Sequence, residues 1–162
     1  MQKRKQPWPS SPKEKSLSAL SGLAKSKKVT TRALARIKLP SLPLEHLCSV
    51  LLGSRFELEV VSVGQIRSRV LNKKYRKKDS PTNILSFPLS KSEGQLVINL
   101  FLSRKQATSQ HVSYRDYVLY LLVHGMLHLK GYDHGRKMEA LEEQTLRHYT
   151  TKEFQLWLQG AH

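Results

Sequence analysis

Three of the seven histidines in this chain of 162 residues fall inside one stretch of eleven, HGMLHLKGYDH at 124–134. His124 and His128 are four apart, so on a helix they share a face, with Cβ atoms about 5–6 Å apart. Both rings can then reach one ion at roughly 2.0–2.1 Å, the usual Zn–N distance. A third ligand requires the helix to stop, and Gly131 stands where a left-handed residue would turn the chain. His134 follows. The offsets are those of the extended zincin pattern H-E-x-x-H-x-x-G-x-x-H. One position departs, because Gly125 stands where zinc peptidases carry their general-base glutamate. The cage is present and the proteolytic base is not. Three imidazoles without an evident fourth protein ligand leave a coordination position for water, as in catalytic rather than structural zinc sites. Gly125 is expected to leave room beside the ion for a backbone bulkier than a peptide. Asp133 is either a residue that orients an imidazole from behind or an ordinary turn residue.

The apolar run YVLYLLV precedes these histidines, and a helix over 113–129 ending at Gly131 is expected to carry the first two. Upstream, LEHLCSVLL (44–52) has helical spacing, and the β-branched ELEVVSV (57–63) reads as a strand. QIRSRVLNKKY (65–75) reads as an amphipathic helix with Ile66, Val70 and Leu71 inward. NILSFPL (83–89) and QLVINLFL (95–102) read as strands joined by the turn SKSEG. A last helix begins near His134, with Met138, Leu141, Thr145, Leu146 and Tyr149 at its periodic positions. Strands first and helices later, with some alternation, argue for an α+β fold. The expected architecture is a small mixed β-sheet packed against helices, with the metal site at the end of a buried central helix.

Twenty-eight Lys and Arg against twelve Asp and Glu give a net charge of +16. That imbalance predicts polyanionic partners, nucleic acid before acidic membrane. Residues 1–38 hold eleven of the basic side chains and only one acid, Glu14. With few large apolar groups, this part cannot offset its own ordering entropy. The reading is therefore a basic arm without fixed structure over 1–40 and a folded domain over 41–162, divided at the prolines of LPSLP. No apolar h-region follows the basic start, which argues against a secretory signal, and an organellar transit peptide is the other reading of it. The longest apolar stretch is too short to span a bilayer, so no membrane partner is expected. Cys48 is the only cysteine, so there is no internal disulfide. No disulfide-linked partner is expected, and a reducing, cytoplasmic setting suits the chain. A second basic cluster, Lys73, Lys74, Arg76, Lys77 and Lys78, could track a phosphate backbone or could be a solvated helix end.

HGMLHLKGYDH together with LNKKYRKKDSPTNILSFP resembles the YbeY family of zinc-dependent endoribonucleases, which act in ribosomal RNA maturation. The family pattern H-G-x-L-H-L-x-G-Y-D-H is met at every fixed position, as are L-N-x-x-Y-R and P-T-[DN]-x-L-S-F-P. The resemblance covers about residues 44–150. It implies that His124, His128 and His134 bind one Zn2+ per chain and that Arg76 contributes to catalysis, with Lys73, Lys74, Lys77 and Lys78 as RNA-binding candidates. It further implies single-stranded RNA as substrate and ribosomal RNA and the small ribosomal subunit as partners, in 16S 3′-end maturation and ribosome quality control. Gly94-Gln95-Leu96 departs from the family's G-D-I, which puts one polar contact there in question. The competing readings are a zincin-type zinc peptidase and a non-catalytic RNA-binding ribosome assembly factor in which zinc only braces the fold.

Overall fold

In the computed structural model, residues 28–160 are described. The expected arm lies mostly outside them, over residues 1–27. Within them, however, the fold starts earlier than residue 41. β1 (Val29–Ala33) pairs in parallel with β2 (Glu57–Ser62), from Val29 opposite Leu58 to Ala33 opposite Ser62. VTTRA is short and flanked by lysines and arginines. Its β-branched residues suit a strand, but buried Val29 is its single core contribution. Residues 29–33, expected to belong to the arm, are therefore part of the sheet.

The sheet has four strands in the order β1-β2-β4-β3. β4 (Glu93–Ile98) runs parallel to β2, and β3 (Ile84–Pro88) runs antiparallel to β4, so the sheet is mixed. α1 (Leu44–Leu51) lies between the first two strands in sequence and α2 (Gln65–Arg76) follows β2. The expected strand over 95–102 ends early, at Ile98. Asn99 then accepts a hydrogen bond from the Leu102 N–H at 3.1 Å and caps a helix, α3 (Leu100–Ser109). A continuous apolar run fits strand and helix equally well, and the capping asparagine inside it decides.

Alternation along the strands separates two cores. Leu58, Val60, Ile84, Leu96 and Ile98 face the main core, shared with α1, α3, α4 (Tyr114–Leu129), α5 (Arg136–Leu146) and α6 (Lys152–Gly160). Val61, Val63, Leu85 and Val97 face the other way, against Leu71 of α2. α4 is buried over most of its circumference, with Val118, Leu119, Leu122, Val123 and Met126 inaccessible to solvent, as befits a helix that is apolar all round. The single last helix expected from periodicity is two, α5 and α6. Their junction is fixed by the buried Asp116 carboxylate, which accepts from the Thr151 N–H at 3.0 Å and the Thr151 hydroxyl at 2.9 Å.

α2 also differs from expectation. Ile66 is 84% exposed and Val70 57%, while Ser68 and Asn72 are buried. The inner face of this helix is polar because it anchors a loop. The Ser68 hydroxyl donates to the Thr82 carbonyl at 2.6 Å and accepts from the Thr82 N–H at 2.9 Å. The Asn72 amide donates to the Ser80 carbonyl at 2.8 Å. Lys77 then takes a left-handed conformation, with φ 60°, and ends the helix directly after Arg76. Among the described residues no helix is long and apolar enough to cross a membrane.

Candidate metal centre

His124 and His128 stand one turn apart at the end of α4, and the helix stops as the sequence requires. Gly131 has φ +95°, its N–H donates to the His128 carbonyl at 3.0 Å, and the Tyr132 N–H donates to the Leu127 carbonyl at 3.1 Å. This is a Schellman closure. It reverses the chain and brings His134 back over the other two rings. Ring centroids lie 4.6 Å apart for His124 and His128, 4.7 Å for His128 and His134, and 5.1 Å for His124 and His134. One nitrogen from each ring lies within 4.8 Å of the others, so the three could hold a metal ion.

The hydrogen bonds behind the rings test whether a cation fits. His124 Nδ1 lies 2.7 Å from Glu142 Oε1, and His128 Nδ1 lies 2.9 Å from the Tyr132 carbonyl oxygen. Both oxygens are acceptors, so each Nδ1 carries the proton and each Nε2 is left with a lone pair. These two Nε2 atoms are 3.0 Å apart. Two lone pairs at that distance repel unless a cation or a proton lies between them. A tetrahedral ion with bonds of roughly 2.0–2.1 Å would hold its nitrogens about 3.3 Å apart, close to what is seen. The donor set is nitrogen throughout and suits zinc. Burial, the strongest effect, holds the His128 imidazole below its ordinary pKa, helped by His124, His134 and Arg76 and opposed by the Tyr132 carbonyl. A neutral ring is the form that ligates.

Arg76, the last residue of α2, lines the same cleft of about 200 Å³ as the three histidines, with Asn83, Ser86 and Tyr120. Burial lowers its guanidinium pKa, yet arginine remains cationic at any physiological pH. None of the ion pairs among the described residues engages it. The four lysines expected beside it do not line the cleft. Lys73 pairs with Asp79 at 3.0 Å, Lys74 lies 5.3 Å from the centre of the Tyr75 ring, and Lys77 donates to the Lys74 carbonyl at 3.4 Å. Lys78 is exposed beyond them.

Asp133 is exposed on the turn, and the Nδ1 atoms of His124 and His128 are held by Glu142 and Tyr132. One reading of a small residue changes. Gly125 does not open space beside the histidines. A Cβ there would meet Leu96 Cδ2 at 2.8 Å, Ile84 Cδ1 at 3.0 Å and Ser86 Oγ at 3.2 Å, so this glycine lets α4 pack closely on the sheet. The residue missed from sequence is Glu142. It sits one turn after Met138 and one before Leu146, a carboxylate within an apolar stripe, and that pattern is visible in MEALEEQTL. At the Gly94-Gln95-Leu96 departure, the Gln95 amide donates to Glu59 at 2.6 Å.

A relative from Colwellia psychrerythraea is 38% identical over 98 residues, covering 56% of this chain and 63% of its own length. One from Bordetella petrii is 40% identical over 99 residues, covering 55% and 64%. One from Vesicomyosocius okutanii is 42% identical over 102 residues, covering 56% and 70%. All three are called Endoribonuclease YbeY, and the match spans less than two thirds of the first two. The solution structure of TM1509 from Thermotoga maritima shares the fold, with a TM-score of 0.52 at 21% identity over 74% of this chain and 87% of that one. Residues 25–154 match the family model described as Endoribonuclease YbeY, a span that takes in the strand β1 as well as the histidines, and the chain belongs to that family.

Proposed function

We propose that this chain is a zinc-dependent endoribonuclease that cleaves single-stranded RNA. Its substrate in this reading is ribosomal RNA on the small ribosomal subunit, in 16S 3′-end maturation and ribosome quality control in the cytoplasm. The observation that carries the reading is the convergence on one cleft of three imidazoles and an arginine that has no carboxylate partner among the described residues. Family membership and a net charge of +16 support RNA as the polyanion.

Zinc held by His124, His128 and His134 would supply Lewis acidity toward a phosphoryl oxygen and lower the pKa of a coordinated water to about 7. The chain's own residues do the positioning. Glu142 and the Tyr132 carbonyl keep two of the imidazoles turned into the cleft. Arg76 presents a planar fork of N–H donors that matches the scissile phosphate and offsets charge that develops on it. Lys73, Lys74, Lys77 and Lys78, outside the cleft, would follow flanking phosphates.

The packing of Gly125 against the sheet disfavours the peptidase reading, since no carboxylate can occupy that position without displacing Leu96 and Ile84. The apolar burial of α4 disfavours zinc as a mere brace, because the helix is already held by its core contacts. The test is cleavage of single-stranded RNA by purified protein, with and without chelator, and by the His128→Ala and Arg76→Ala variants. Chelator and His128→Ala should abolish cleavage. Arg76→Ala should keep its zinc and lose about 10²–10³-fold in rate, the usual effect of removing one donor to developing charge. RNA cleavage that survives both chelator and His128→Ala would overturn the assignment. Peptide hydrolysis without RNA turnover would favour the zinc peptidase.

A further inference from the structure

We propose that Glu142 is a positioning residue of the metal centre, whose buried negative charge orients His124 and raises the affinity of the three imidazoles for a divalent cation. This inference rests on the metal reading above and adds a residue that the histidine motif does not contain.

Glu142 lies on α5, eight residues beyond the last histidine, yet its carboxylate meets the first histidine at 2.7 Å. It is 2% exposed. One turn to either side, Met138 and Leu146 are also buried in the core, so packing fixes the backbone that carries it. An apolar side chain would fit this stripe and avoid the desolvation of a carboxylate, which is large when the charge is not compensated. The compensating partner is not a lysine or an arginine. Among the described residues the ion pair of Glu142 is with His124 alone. The charge balance therefore points through the imidazole to whatever its Nε2 holds, which is the position shared with His128 Nε2 at 3.0 Å. A carboxylate behind a ligating histidine fixes its tautomer and makes the ring a stronger donor. His128 has only the neutral Tyr132 carbonyl behind it, so the two rings are unequal by construction. His124 is the better donor, and Glu142 is what makes it so.

The test measures zinc affinity of the full-length chain by competition with a chromophoric chelator, for wild type, Glu142→Gln and Glu142→Ala. Thermal unfolding of the same proteins without metal is followed alongside. Glutamine preserves the shape and a hydrogen-bond acceptor but not the charge, while alanine removes both. The expected result is affinity about 10-fold weaker for Glu142→Gln and up to about 100-fold weaker for Glu142→Ala, the range for removing partners behind ligands. Glu142→Gln and wild type should both unfold cooperatively without metal. Wild-type affinity in folded Glu142→Gln, with only the metal-free melting temperature lowered, would assign a structural role and overturn the inference. Wild-type protein that takes up no zinc would overturn the metal reading itself, and this inference with it.

Discussion

At the scale of single residues, the site depends on small differences in what stands behind each side chain. The histidine spacing was legible because i, i+4 geometry and a glycine stop are local rules, and the rings converge as those rules require. Gly125 was not legible, because its role depends on Leu96 and Ile84, which come from two strands. The same fact makes a prediction. Gly125→Glu, which would complete the zincin pattern, should gain no peptidase activity and should lose about 3 kcal/mol or more of stability from overpacking and a buried unpaired carboxylate. Denaturant unfolding measures the loss, and a variant as stable as wild type would contradict the packing described. Glu142 escaped for a related reason. Its partner lies 18 residues away, on another helix, and only a carboxylate at an apolar position betrays it.

At the scale of elements, periodicity located α1, β2, β3 and α4, whose apolar patterns are unambiguous, and failed where a polar group sets the structure. α3 begins at a capping asparagine inside an apolar run. α2 turns Ser68 and Asn72 inward to hold the loop before β3, and leaves Ile66 and Val70 in solvent. That loop is also clasped from outside, since Asp79 accepts from Arg69 at 2.7 Å and from Lys73 at 3.0 Å. These partners draw the Asp79 carboxyl from an ordinary 3.8 down to about 2. A depressed folded-state pKa contributes stability above the unfolded value and loses it as pH falls through the folded one. The contribution of Asp79 should therefore be complete above about pH 4 and vanish toward about pH 2. Asp79→Asn should melt below wild type at pH 5, and the two melting temperatures should converge by pH 2. A gap that stays constant across that range would show that the clasp carries no charge-dependent stability.

At the scale of the whole molecule, charge is the property that composition alone made legible, whereas the extent of the fold was not. A boundary at residue 41 followed from a polar, basic stretch, but β1 inside it completes the sheet through backbone hydrogen bonds that composition does not encode. Truncation therefore has two regimes. Removing residues 1–38 deletes a paired strand and should prevent cooperative folding. Removing residues 1–24, which precede the family match, should leave folding and zinc content intact while flattening the salt dependence of RNA binding. The logarithmic slope should fall by about 0.7 for each phosphate of a single strand that the truncated chain no longer neutralises. An unchanged slope would show that those basic residues do not touch RNA. The whole mechanism depends on an ion at the three imidazoles, and metal analysis of the purified full-length chain beside His128→Ala tests that most directly. About one zinc per wild-type chain and almost none in the folded variant is the predicted result, as expected for three-histidine ligation. Wild-type protein without stoichiometric metal, or a variant that keeps it, would contradict the account.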